Sequence, residues 1–131
     1  KVYIYITEKK IIGVYNDKLL LEDATLVDNN YNINSAPIIT NNIDTIKDRF
    51  TTKFSKVDNN ILLKISEISY VPNDVDTERF LLKMNDGNEV IGSIDTLATK
   101  MSYYPSMAKA LGKKGVIDLE VGAYAYPYDN K

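Results

Sequence analysis

The chain has 131 residues, 44% of them apolar and 26% charged, which is ordinary for one globular domain and too short for two good cores. Sixteen basic against eighteen acidic residues give a net charge of −2, without the basic excess of a nucleic-acid binder. Cysteine and histidine are both absent, which excludes disulfide scaffolds, Cys-type zinc sites, thiol chemistry and the commonest general base.

In chain order, Val2 to Glu8 is β-branched and aromatic and predicts a strand. Ile11 to Tyr15 predicts a second strand, Asn16-Asp17 a turn and Lys18 to Glu22 a third strand. Residues 28–42 hold Asn29, Asn30, Asn32, Asn34, Asn41 and Asn42 beside Asp28, and predict a loop, with Ala36-Pro37-Ile38-Ile39 extended. Ile43, Ile46, Phe50, Phe54 and Val57 fall on one face at helical spacing. They predict a helix from about Ile43 to Val57, N-capped by Asn42 and with Asp44 in its first turn. Asp58-Asn59-Asn60 breaks it, and Ile61 to Ile65 predicts a further helical turn.

Glu67 to Val71 predicts a strand ended by Pro72-Asn73-Asp74. Arg79 to Met84 and Glu89 to Ile94 flank Asp86-Gly87, a hairpin signal. Asp95 can cap a second helix with Leu97, Ala98, Met101, Tyr104, Met107, Ala108 and Leu111 on its apolar side. Pro105 must kink or divide that helix, and Gly112 and Gly115 are stop signals. Val116 to Val121 alternates apolar and acidic residues, as a half-buried strand does. Gly122 turns the chain, Ala123 to Tyr126 predicts a last strand, and Pro127 fits only an edge. The fold class expected is α+β: a mixed or antiparallel sheet with helices on one face and a C-terminal edge strand.

Apolar runs such as Ile61-Leu62-Leu63 fall far short of the ~18 residues of a membrane span. No signal peptide opens the chain. Lys1 is not a natural start, so a fragment or processed form is expected.

Few motifs suggest chemistry. Ser106-Met107-Ala108-Lys109 matches S-x-x-K, but its companion signatures are missing and the bland reading is a solvent-facing Ser and Lys. Asp74-Val75-Asp76-Thr77-Glu78 alternates acids like a calcium loop, yet Arg79 stands where the EF-hand wants Gly, so a polar loop is expected. Nothing picks out a carboxylate pair for glycan cleavage, although spacing cannot exclude one. The reading is therefore of no catalytic, cofactor or metal residues, with a glycan-cleaving envelope enzyme as the alternative.

Ten Tyr against three Phe and no Trp is a real bias, densest at Tyr103-Tyr104 and at Tyr124, Tyr126 and Tyr128. Tyr on a strand can simply pack with its hydroxyl in water. It also supplies large contact area at low entropic cost, and an edge strand can accept a partner's strand.

Lys100 to Leu111 followed by Gly115 to Ala123 resembles the C-terminal half of the extracytoplasmic β domain of the bacterial division family DivIB, called FtsQ in Gram-negative bacteria. Ile4 to Tyr15 resembles the strand pair leaving that family's POTRA domain, and Ala36-Pro37-Ile38-Ile39 its "aPvl" segment. Ile65 to Tyr70 and Met84-Asn85-Asp86-Gly87 follow in the family's order, and the Gram-positive branch is the better match.

The resemblance implies a non-catalytic scaffold at the extracytoplasmic face of the membrane, at the division septum. It would be anchored by a segment absent from this chain and would hold proteins of the FtsL and DivIC (FtsB) type. It assigns 1–125 to the β domain and 126–131 to the start of a tail. In the Gram-negative relatives the last strand receives a partner strand. Carried over by position, the partner-binding residues are Asp118, Glu120, Val121, Ala123, Tyr124, Ala125 and Tyr126. Pro127 lacks an N–H and would interrupt an added ladder. The bonds before Pro105 and Pro127 are of the slowly interconverting X-Pro kind, so residues around Tyr126-Pro127 are expected to show two conformations. Contact with anionic wall polymers is carried for Lys9, Lys10, Lys113 and Lys114, should they gather into a patch.

Overall fold

Two tight turns set the first three strands. Thr7 and Glu8 take φ of 50° and 62°, and Asn16 and Asp17 take 51° and 63°. Paired left-handed residues make the two-residue turn that matches strand twist, so β1 (Tyr5–Ile6), β2 (Lys9–Tyr15) and β3 (Lys18–Leu21) form a meander. The structure, a computed structural model, describes residues 5–120 and 122–128. The first expected strand is corrected: it ends at Ile6 because Thr7 and Glu8 form the turn, and residues 1–4 lie outside the described residues.

A strand absent from the sequence reading, β4 (Leu26–Asp28), adds antiparallel to β3. The 29–37 segment then leads to the two-residue β5 (Ile38–Ile39), which pairs parallel with both β2 and β6 (Ile65–Tyr70). The first helix is shorter than expected. Asn42 Oδ1 accepts from Asp44 N–H at 2.8 Å and Ile46 N–H donates to Ile43 at 2.9 Å, so residues 43–46 are a separate turn. The helix α1 spans Lys47–Phe54 with Ile46, not Asn42, at its N-cap. The apolar periodicity still marks the core, because Ile43, Phe50, Phe54 and Val57 are all buried. The Lys10 ammonium donates to the carbonyls of Ser55 and Val57, just past the helix end, where a cation suits the negative pole. A single turn, α2 (Asn59–Leu62), is capped by Asp58.

β7 (Arg79–Met84) and β8 (Glu89–Ser93) form the expected hairpin, with Gly87 at φ 94°. Ser93, not Asp95, caps α3 (Ile94–Lys100), in a capping box with Thr96. Pro105 divides the helical stretch as expected. After α3 comes a 3-10 turn at Met101–Tyr103, and then α4 (Tyr104–Leu111), whose first turn holds Pro105 and needs no N–H from it. Gly112 closes α4 at φ 72°, while Gly115 opens β9 (Gly115–Asp118) instead of ending a helix. β9 stops three residues before the expected end at Val121. β10 (Tyr124–Pro127) follows, so the expected tail boundary after 125 falls inside a strand.

The mixed, mostly antiparallel sheet runs β10-β9-β8-β7-β6-β5-β2-β3-β4, with β1 on β2. Alternate residues of a strand face opposite sides. Ile12, Leu20, Ile68, Leu82, Val90 and Ile117 join Phe50, Phe54, Leu97 and Tyr104 in the main core, on the helix side. The Phe50 and Phe80 rings lie 5.2 Å apart. On the other side Ile11, Leu19 and Leu21 are covered by Ile33 and Ala36 of the 29–37 segment. That cover stops short of β6 to β10, so the C-terminal half of the sheet has an open face and an open edge. Among the described residues no helix is long and apolar enough to cross a membrane.

Candidate functional site: the C-terminal sheet edge

Among the described residues β10 forms the edge, pairing only with β9: Tyr124 faces Asp118, Ala125 faces Ile117, Tyr126 faces Val116 and Pro127 faces Gly115. Glycine at 115 is required by the close approach. A Cβ there would lie 2.1 Å from the Tyr126 carbonyl oxygen and 2.7 Å from Pro127 Cα. Just past the strand, Tyr128 N–H donates to the Lys114 carbonyl at 3.1 Å. Antiparallel pairs alternate between hydrogen-bonded and non-bonded. Tyr128–Lys114, Tyr126–Val116 and Tyr124–Asp118 are then the bonded pairs, and Ala125 and Pro127 point their backbone groups away from the sheet. Pro127 therefore costs β10 no bond to β9, and Ala125 offers a free N–H and C=O.

The side chains sort by the same alternation. Ala125 lies beside the buried Ile117 on the helix side, where α4 packs. Tyr124 and Tyr126, 63% and 39% exposed, lie on the open face. In register with them across that face run Val116 and Glu89 in one row, and Asp118, Ile91 and Leu81 in the next. Asp118 Oδ1 accepts from the Glu120 N–H at 2.9 Å. Glu120 is engaged by Arg79, which also donates to the Val71 carbonyl at 3.3 Å. Ala123 is exposed between Gly122 and β10, and Val121 lies outside the described residues. Six of the seven candidate residues are thus placed at or beside one edge.

A buried network that the sequence reading missed holds this edge in place. The Tyr104 hydroxyl donates to the Asp86 carboxylate at 2.6 Å and accepts from Asn88 Nδ2 at 3.0 Å. Asn88 Oδ1 accepts the Gly115 N–H at 2.9 Å. Burial, with Asp86 close by, pushes the Tyr104 hydroxyl far above the ordinary tyrosine range. The Tyr128 hydroxyl donates to the Gly87 carbonyl at 2.8 Å, so the hairpin turn also pins the chain beyond β10. The one local signal was the Asp-Gly-Asn run at the turn.

The other candidates come apart. Ser106 Oγ donates to the Tyr103 carbonyl, and both Ser106 and Lys109 are exposed. In the 74–78 loop, Asn73 and Asp76 accept backbone N–H groups in local turns. No group of three potential metal ligands occurs among the described residues. Asp44, Asp48 and Glu78 share a groove, but Asp44 accepts the Tyr15 hydroxyl and Glu78 is paired with Arg49. Asp23, Asp28 and Asp95 are held below the usual carboxylate range, chiefly by hydrogen bonds from Lys9, Lys18 and Lys53. That is opposite to what a general acid needs. The four lysines do not gather: Lys9 pairs with Asp23 and Lys10 is buried, while Lys113 and Lys114 lie before β9, several strands away.

An α+β domain with an open, tyrosine-bearing edge strand defines the structural class. The family model for the C-terminal domain of cell division protein FtsQ/DivIB matches residues 12–120. A cell division protein DivIB of Ligilactobacillus salivarius is 82% identical over 65 residues, covering 50% of this chain and 23% of the relative. DivIB of Staphylococcus aureus is 35% identical, covering 94% of this chain and 31% of that protein. The solved major extracytoplasmic domain of the trans isomer of DivIB from Geobacillus stearothermophilus matches with a TM-score of 0.63 and 26% identity, over 82% of this chain and 97% of that one. The chain belongs to the FtsQ/DivIB family of cell-division proteins. It spans well under half the length of the curated relatives it matches.

Proposed function

We propose that this chain is the partner-binding domain of a membrane-anchored division scaffold, standing on the extracytoplasmic side at the septum. It binds the extracellular ends of FtsL- and DivIC-type proteins, and a partner strand adds to β10. The observation that carries this reading is the phase of β10. Its Ala125 N–H and C=O face outward, while Tyr124 and Tyr126 stand exposed beside them. Main-chain bonds would supply affinity and the tyrosines contact area. Asp118, Glu120 and Ala123 flank the same edge. Pro127 offers only its carbonyl, so the added ladder ends there.

The test is an NMR titration of the chain with soluble DivIC and FtsL ectodomains, alone and mixed. The proposal expects shifts concentrated in 116–128. Shifts elsewhere, or none with either or both, would overturn it.

A further inference from the structure

At the β7–β8 end of the sheet two hollows adjoin. One, of about 480 Å³, is lined by Lys109, Lys113 and Lys114 with Asp86 and Ala108. The other, of about 400 Å³, is lined by Lys64 and Tyr104 and shares Asp86 and Ala108. Four ammonium groups from three separate segments thus stand around one trough, in a chain whose net charge is −2. Elsewhere Lys47 and Lys56 make no ion pair among the described residues, Lys10 and Lys100 donate to backbone carbonyls, and Lys9, Lys18, Arg49, Lys53, Arg79 and Lys83 all pair with carboxylates. Among the described residues Lys64, Lys109 and Lys114 make no such pair. Asp86, the one acid in the trough, already accepts the Tyr104 hydroxyl and the Asn88 N–H.

We propose that this trough binds an extended polyanion with a phosphodiester backbone, its phosphates spaced from Lys64 to Lys109, Lys113 and Lys114. Lysine recognises phosphate as a point charge, without the fixed fork of arginine. Two hollows in series suit a slender chain better than one small anion. The apolar lining is Ala108, Pro105 and the buried ring of Tyr104, set in a concavity, which does not suit insertion into a flat lipid surface. The trough lies on residues distinct from the outward edge of β10, so a bound polymer leaves that edge free.

The experiment is an NMR titration of the chain with poly(glycerol phosphate). It is repeated with inorganic phosphate, polyglutamate and vesicles containing phosphatidylglycerol. The proposal expects shifts at Lys64, Lys109, Lys113 and Lys114 with the polymer and much weaker effects from the other three probes. Affinity should fall about tenfold in the Lys64→Gln, Lys109→Gln, Lys114→Gln triple variant and fall again between roughly 50 and 200 mM salt. A Lys47→Gln variant on α1 should bind as the parent does. If the triple variant loses its dispersed spectrum, Lys64→Gln alone is used and should remove the shifts at its end of the trough. Unchanged affinity in the variants, equal binding of polyglutamate, or vesicles bound as tightly as polymer would each overturn the proposal.

Discussion

Tyr128 donates its backbone N–H to the Lys114 carbonyl at 3.1 Å, and this bond fixes which backbone groups of β10 face solvent. With the register Tyr126↔Val116 and Ala125↔Ile117, the outward positions are Ala125 and Pro127. Two proline substitutions one residue apart should therefore behave oppositely. Ala125→Pro removes an N–H that faces away from β9, so stability should change by no more than about 0.5 kcal/mol. Tyr126→Pro removes a ladder bond to β9 and should cost about 3 kcal/mol or detach the strand. Urea unfolding of the two variants checks this.

Gly115→Ala should free β10 without dismantling the sheet. The new methyl would sit 2.1 Å from the Tyr126 carbonyl oxygen, so the strand must move, at a cost of about 1–3 kcal/mol. Hydrogen exchange should quicken at the Tyr124 and Tyr126 amides, while β6 to β8 stay protected.

Tyr104→Phe removes the hydroxyl that joins Asp86 to Asn88 and leaves buried polar groups short of a partner. A loss of about 1–3 kcal/mol is expected by denaturant titration. The pH dependence has a definite sign. Burial raises the folded-state pKa of Tyr104 above the ordinary 10.0, so its contribution is complete below pH 10 and declines as pH rises through the folded value. Tyr15 is shifted in the same direction by burial, with Asp44 adding to it. Alkaline destabilisation above pH 10 should be smaller in Tyr104→Phe than in the parent.

Ser93→Ala should cost about 0.5–2 kcal/mol by loss of the α3 cap. Asp95→Ala removes only exposed ion pairs with Arg49 and Lys53 and should cost less than about 1 kcal/mol. Thermal melts of the two variants rank them.

Local chemistry made much of this fold legible. Asn16-Asp17 and Gly87 named their turns because left-handed backbone selects those residues. Pro105 divided the helices because it cannot donate, and the Phe50–Phe54–Val57 spacing marked a buried face. What stayed hidden depends on distant partners. Ser93 and Asp95 are both good caps, and Thr96 decides between them. β5 is two residues long and exists because β2 and β6 hold it from both sides. The terminal tyrosine run pointed to an edge, but which of its amides face outward follows from register with β9. The tie from Asp86 through Tyr104 and Asn88 to Gly115 joins residues far apart in the chain and leaves no local pattern.

The most direct test of strand addition at β10 is amide hydrogen exchange at Ala125, with and without the mixed DivIC and FtsL ectodomains. The account predicts that the Ala125 amide exchanges freely alone and becomes protected in the complex. Tyr124 and Tyr126, already bonded to β9, should change little, and Ala125→Pro should abolish binding while the domain stays folded. Tight binding with Ala125 still unprotected, or undiminished binding by Ala125→Pro, would contradict it.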